Sequence, residues 1–244
     1  MMKRGTMTKV FAAVIAAALC LSSCQEFFTS SLGAWAGRTA SVPDNLTASQ
    51  ALSIADTALE NCDTDLAAAL LPQLAAMATT GTPSAEIVEA AVDTAVLATG
   101  VSEAITSSLA TVAEEITNYD GGALSDTAIS TLSAALASIT VTTDSVAVYT
   151  LMTTMLPANL AAANVTASDC ALAAASLLAA IVSQSGTLTL ATLLDGTYNA
   201  ATLQGAEVAA TTNYYNLASN LLTVAGTLDS SDSMYSLVNS LIAP

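Results

Sequence analysis

The chain has 244 residues with 4 Lys and Arg, 20 Asp and Glu and no His, for a formal net charge of −16; 53 % of its residues are hydrophobic and only 10 % charged. Such apolarity excludes a disordered acidic tail, and so few cations exclude a nucleic-acid partner, whose phosphates they would have to neutralise. Without His, imidazole triads and imidazole metal sites are excluded as well.

Three of the four cations sit at the start. Lys3, Arg4 and Lys9 precede the apolar stretch VFAAVIAAALCL over 10–21, which is shorter than the roughly 20 residues a bilayer span takes and has the anatomy of an export signal. It runs into Leu21-Ser22-Ser23-Cys24. That tetrapeptide resembles the lipobox of bacterial lipoproteins: Leu, two small residues, then Cys. The resemblance implies cleavage before Cys24, a diacylglycerol thioether on its sulfur and an acyl chain such as palmitate on its new amine. Several acyl chains on one residue give a stable anchor. Gln25 is not the Asp that, in enteric lipoproteins, retains the protein at the inner membrane, so the outer membrane is favoured. Removal of residues 1–23 would leave Arg38 as the only cation against 20 carboxylates. Such a chain is repelled by anionic surfaces and suits cationic or uncharged partners.

Residues 24–45, with Phe27, Phe28 and Trp35, read as a lipidated tether, and 46–244 as one all-helical domain. Thr47-Ala48-Ser49-Gln50 is a capping box that opens a helix with Leu52, Ala55 and Leu59 on one face. Asp65 leads into Leu66, Leu70, Leu74 and Met77, with Pro72 set to kink or restart that helix. Thr82-Pro83 predicts a cap and first-turn proline ahead of Ile87, Val88, Val92 and Val96, closed by Gly100. Ile105, Leu109, Val112 and Ile116 predict a helix stopped by Gly121-Gly122, and Ile129, Leu132, Leu136 and Ile139 another. Asp144 opens one that ends at Pro157; Ser168-Asp169 opens one that ends at Gly186. Val208, Tyr215, Leu222 and Ala225 mark one ended by Gly226, and Ser231–Ile242 is the last.

About nine short Ala-rich helices therefore form a bundle or irregular array, an all-α fold. Of the carboxylates, 13 lie between Asp44 and Asp126 and six after it, which predicts the more buried half to be the C-terminal one. The longest apolar run, Ala171 to Val182, is broken by Ser176 and reads as a buried helix. Asn45-Leu46-Thr47-Ala48-Ser49-Gln50 is echoed by Asn164-Val165-Thr166-Ala167-Ser168-Asp169. Convergent capping chemistry explains the echo; duplication of a helical unit is the alternative.

Little of the chain carries chemistry. Cys62 and Cys170 are the thiols left beyond Cys24. In an exported protein they invite a disulfide closing a loop on the order of 100 residues, worth ~4–5 kcal/mol. The alternative is two separate buried thiols. Glu86, Glu89 and Asp93 share one helix face and are the candidate metal ligands, for Ca²⁺ by their oxygen chemistry. A solvated acidic stripe explains them better, since a calcium loop and its Gly are missing. Asp63-Thr64-Asp65 and Asp229-Ser230-Ser231-Asp232 precede helices and read as N-caps. Glu114-Glu115 point about 100° apart on a helix and make no acid–base pair. Tyr198, Tyr214 and Tyr215 read as core aromatics, and Gly121-Gly122 and Gly196 resemble no phosphate loop, so no cofactor is expected.

The segment Phe27-Phe28-Thr29-Ser30-Ser31 through Trp35-Ala36-Gly37-Arg38, with the capped helix at Thr47 and the helix over 63–74, resembles helical lipoproteins of spirochaete type. That resemblance implies a helical body behind a lipid anchor and brings no activity with it. The Ala- and Thr-rich remainder departs from the Lys-rich helices of that group. These readings converge on a lipid-anchored envelope protein, attached to the membrane through its lipid, with a non-catalytic binding or scaffolding role towards another envelope protein. Carriage of a small apolar ligand between helices is the alternative. A carboxylate-dependent hydrolase comes third, and requires two converging carboxylates, one with a raised pKa.

Overall fold

Alanine-rich helices begin where a short polar side chain can hold their first free N–H groups, and the described helix starts at 48, 64, 85, 143, 157, 167 and 233 each have such a device or a proline. The computed structural model describes residues 42–105, 130–131, 134–135, 137–185 and 214–242. Of these, 79 % are helical and none lies in a strand: the fold is all-α. Of the predicted helix over Ile105–Ile116 only Ile105 is described; Ile129, Leu132 and Leu136 of the next one, and Gly186 to Val208, lie outside the described residues.

Helix α1 spans Ala48–Glu60, α2 Thr64–Thr79 and α3 Ala85–Ala98. Thr47 caps α1 through the complete capping box, its hydroxyl accepting from Gln50 N while the Gln50 amide oxygen accepts from Thr47 N at 3.0 Å. Ahead of it, Gln73 of α2 clasps the entering strap: its Oε1 accepts from Leu46 N at 3.0 Å and its Nε2 donates to the Pro43 carbonyl at 2.7 Å. The buried face of α1 is Ala51, Ala55 and Ala58, with Leu52 half-buried beside it. Of the expected Leu52, Ala55 and Leu59 face, Ala55 is in the core and the two leucines stand half-buried at its rim, because Ala lets the α1 backbone approach its neighbours more closely.

Asp63 caps α2 by accepting from Leu66 N at 2.9 Å. Pro72 lies inside α2 without ending it. The proline and Ala68, four residues earlier, are both exposed, so water can take the carbonyl that loses its N–H partner. Ser84, not Thr82, caps α3, accepting from Ile87 N. Gly100, at φ +71°, closes α3 in the left-handed region as its position predicts.

Helix α4 spans Thr143–Thr154, α5 Pro157–Ala162 and α6 Ala167–Ser185. Thr142, two residues ahead of Asp144, caps α4, and Pro157 begins α5 as well as following α4, since its fixed φ suits a first turn. Helix α7 spans Tyr214–Leu228 and α8 Ser233–Ile242. Gly226 does not stop α7. A Cβ there would lie 2.7 Å from Tyr235 Oη of α8, so the glycine admits the tyrosine ring instead. Asp232 caps α8 through Tyr235 N at 2.8 Å.

Two trios result. Helices α1, α2 and α3 pack on one another, as do α6, α7 and α8, and α6–α7 is the most extensive pair. Helix α4 lies against members of both trios, α2 and α3 on one side and α6 and α7 on the other. Helix α6 is the centre: Ala167, Cys170 to Ala174 and Ser176 to Ile181 are all buried. A helix apolar on every side is buried rather than amphipathic, and among the described residues none is long and apolar enough to cross a membrane.

Candidate functional site

The candidate site is an acidic corner where α3 meets the entrance of α6. Helix α3 buries most of its circumference, including Ile87, Val88, Ala90, Ala91, Val92, Thr94 and Ala95. Its polar stripe therefore has one narrow way out. Glu86, in the first turn, reaches solvent, whereas Glu89 and Asp93 are half-buried.

Residues of the α5–α6 connector close over that stripe. Asn164 takes φ +54°, a left-handed backbone that Asn tolerates better than other side chains. Its Nδ2 donates to both oxygens of Glu89, at 3.1 and 3.2 Å. Two residues later Thr166 caps α6: Asp169 N donates to its Oγ1 at 3.2 Å, while its own N and hydroxyl both donate to Asp169 Oδ2, at 2.8 and 2.6 Å. Asp169 is thereby pinned, a half-buried negative charge near Asp93. Burial first, then the charge of Asp169, then that of Glu89, push the Asp93 carboxyl from the ordinary 3.8 up to about 7.

Glu86, Glu89 and Asp93 thus do not form the metal-ligand set their spacing allows. Glu86 is left in water, Glu89 is taken by an amide, and among the described residues no group of three or more His, Cys, Asp or Glu could hold a metal ion. The structure also keeps Cys62 and Cys170 apart, with no disulfide between them. Cys62 is exposed at the α1–α2 corner, where its backbone takes φ +50°, and Cys170 is wholly buried in α6. The Cys170 thiol is pushed up to about 12, by burial first and then by neighbouring Asp169, so it serves as a small apolar filler. Cys24 and Tyr198 lie outside the described residues, as do Glu114-Glu115, Gly121-Gly122 and Gly196. Tyr214 is half-buried and Tyr215 buried.

A second polar feature escapes sequence reasoning. Tyr149 of α4 is fully buried; its hydroxyl accepts from Ser176 Oγ of α6 at 3.3 Å and reaches the Ala95 carbonyl of α3 at 3.5 Å. Burial pushes its phenol up to about 12, so it stays neutral and ties three helices together. Nearby, the buried Thr94 Oγ1 finds no hydrogen-bond partner, which costs α3 about 1–3 kcal/mol. The signal for Tyr149 would have been a lone Tyr among core-spaced Val148 and Met152.

No protein-family model matches the chain, and neither does any curated protein or solved structure.

Proposed function

We propose that the protein is a lipid-anchored component of a bacterial cell envelope, outer membrane rather than inner, whose helical body binds or scaffolds another envelope protein without catalysis. One observation carries the reading: the register of Lys3, Arg4 and Lys9, the apolar stretch 10–21, and Leu21-Ser22-Ser23-Cys24. The composition of the body supports the second half of it. Outside the buried seams, the helix faces offer Ser, Thr, Asn and carboxylates, and from residue 39 to 244 there is no Lys, Arg or His. A partner docking there meets an uncharged or acidic surface, which favours cationic or neutral chemistry on its side.

The anchor is tested by Cys24→Ala. The variant is expected to lose incorporation of labelled fatty acid and to leave the membrane fraction; retained labelling overturns the reading. Partner capture needs a specific design, because a processed chain without Lys gives amine-directed cross-linkers nothing to attack. Photo-reactive side chains placed at exposed positions of α1 and α7, such as Ser53 and Thr223, are expected to trap one discrete envelope protein in intact cells. A uniform absence of adducts across both helices counts against a scaffolding role.

A further inference from the structure

We propose that the contact between α3 and the entrance of α6 is a proton-dependent latch, closed when Asp93 is a neutral carboxyl and loosened when Asp93 ionises beside Glu89 and Asp169. The geometry leaves the two neighbours little freedom. Asp169 is held by three capping bonds to Thr166, and Glu89 by both bonds from Asn164. Neither carboxylate can swing away from Asp93 without breaking bonds that build the junction.

Nor can a cation of the body relieve them. From residue 39 to 244 the chain has no Lys, Arg or His, so a proton is the neutralising charge that the body has to hand. The other elements packed on α3 do not change this. Helix α1 carries Asp56 and Glu60 and α2 carries Asp65, all exposed; α4 carries Asp144 and Tyr149; α5 has no titratable side chain. Helix α6 adds Cys170 to Asp169, and that thiol, like the Tyr149 phenol, is pushed up to about 12 and stays neutral.

The direction follows from linkage. With its carboxyl raised from 3.8 to about 7, Asp93 keeps its proton in the folded chain where the unfolded chain has released it. The junction is at full strength below pH 3.8, weakens as pH rises towards 7, and changes little above that. The inference stands independently of where in the cell the protein resides.

Amide hydrogen exchange of the purified chain at pH 5 and pH 8, corrected for the intrinsic pH dependence of exchange, tests it. Segments 86–94 and 164–170 are expected to lose about tenfold or more in protection at pH 8, one pKa unit being a factor of ten. In Asp93→Asn that loss is expected to vanish at these segments, while the general repulsion among the remaining carboxylates persists elsewhere. An Asn variant with the parent's pH response overturns the proposal. If Asp93→Asn fails to fold, the carboxyl carbon of Asp93 can be titrated by NMR in the unaltered chain. A midpoint near 7 supports the latch, and one near 4 overturns it.

Discussion

Two helix entrances in this molecule use the same six-residue device and end with different electrostatics. At α1 the chain runs Asn45-Leu46-Thr47-Ala48-Ser49-Gln50, and at α6 Asn164-Val165-Thr166-Ala167-Ser168-Asp169. Both Asn residues are left-handed, at φ 61° and 54°; both Thr residues cap; both third-turn-position side chains return a bond to the Thr backbone. At α1 that returning group is a neutral amide in solvent. At α6 it is a carboxylate half-buried near Asp93. A capping box is local chemistry; its consequence depends on what tertiary packing places opposite it.

The packing behind the two entrances differs too, and this gives the largest expected effect. Helix α6 fills its seam with Leu177 and Ile181, while α1 buries only Ala51, Ala55 and Ala58. Leu177→Ala should destabilise by about 2–5 kcal/mol, since the fully buried site cannot collapse around the lost volume. Leu52→Ala on the rim of α1 should cost on the order of 1 kcal/mol, the transfer of a half-exposed side chain. Urea midpoints with unchanged slopes measure both. Equal costs would mean that α1 depends on its Leu rim as much as α6 depends on its core.

The caps come next. Thr47→Ala and Thr166→Ala should each cost about 1 kcal/mol. The difference lies in pH. Loss of the Thr166 hydroxyl removes two of the three bonds that hold Asp169 near Asp93 and leaves only the one from the Thr166 backbone N–H, so that variant should partly flatten the decline of stability between pH 5 and 8; Thr47→Ala should leave the decline as it is. Parallel stability–pH curves for the two variants would break the contrast between the entrances.

How far these features can be read from the chain follows from their range. The all-α fold was legible because Leu, Ile and Val recur at helical spacing between cap residues, and several caps sit where the sequence places them: Thr47, Asp63 and the glycine of Gly100. The failures are tertiary. Gly226 resembles a stop signal, yet α7 runs through it, and its missing side chain leaves room for Tyr235. Pro72 resembles a break, yet its helix continues where the lost hydrogen bond faces water. Half of the acidic corner was visible, because Glu89 and Asp93 share a face of α3. The other half, Asn164 and Asp169, read only as a helix start. No local pattern says which distant helix a cap will meet, and that contact turns a solvated stripe into a half-buried carboxylate.

The smallest expected effect is the most direct test of this point. Gln50→Asp gives the α1 entrance the same residue that α6 carries at its corresponding position. Gln50 is exposed, so the new carboxylate meets the positive end of the α1 dipole with its hydration intact, and should stabilise by about 0.3–1 kcal/mol at pH 7 and low salt. Its pKa is then lowered by folding, so the gain is present above the ordinary carboxyl range and disappears as pH falls below about 4. That trend is opposite in sign to the one expected at the α6 corner, where stability falls as pH rises. Thermal midpoints of the variant and the parent at pH 3, 5 and 7 separate the two cases. If Gln50→Asp lowers the midpoint at pH 7, the two entrances are alike in their response to charge, and the contrast rests on the identity of the capping residue rather than on what lies opposite it.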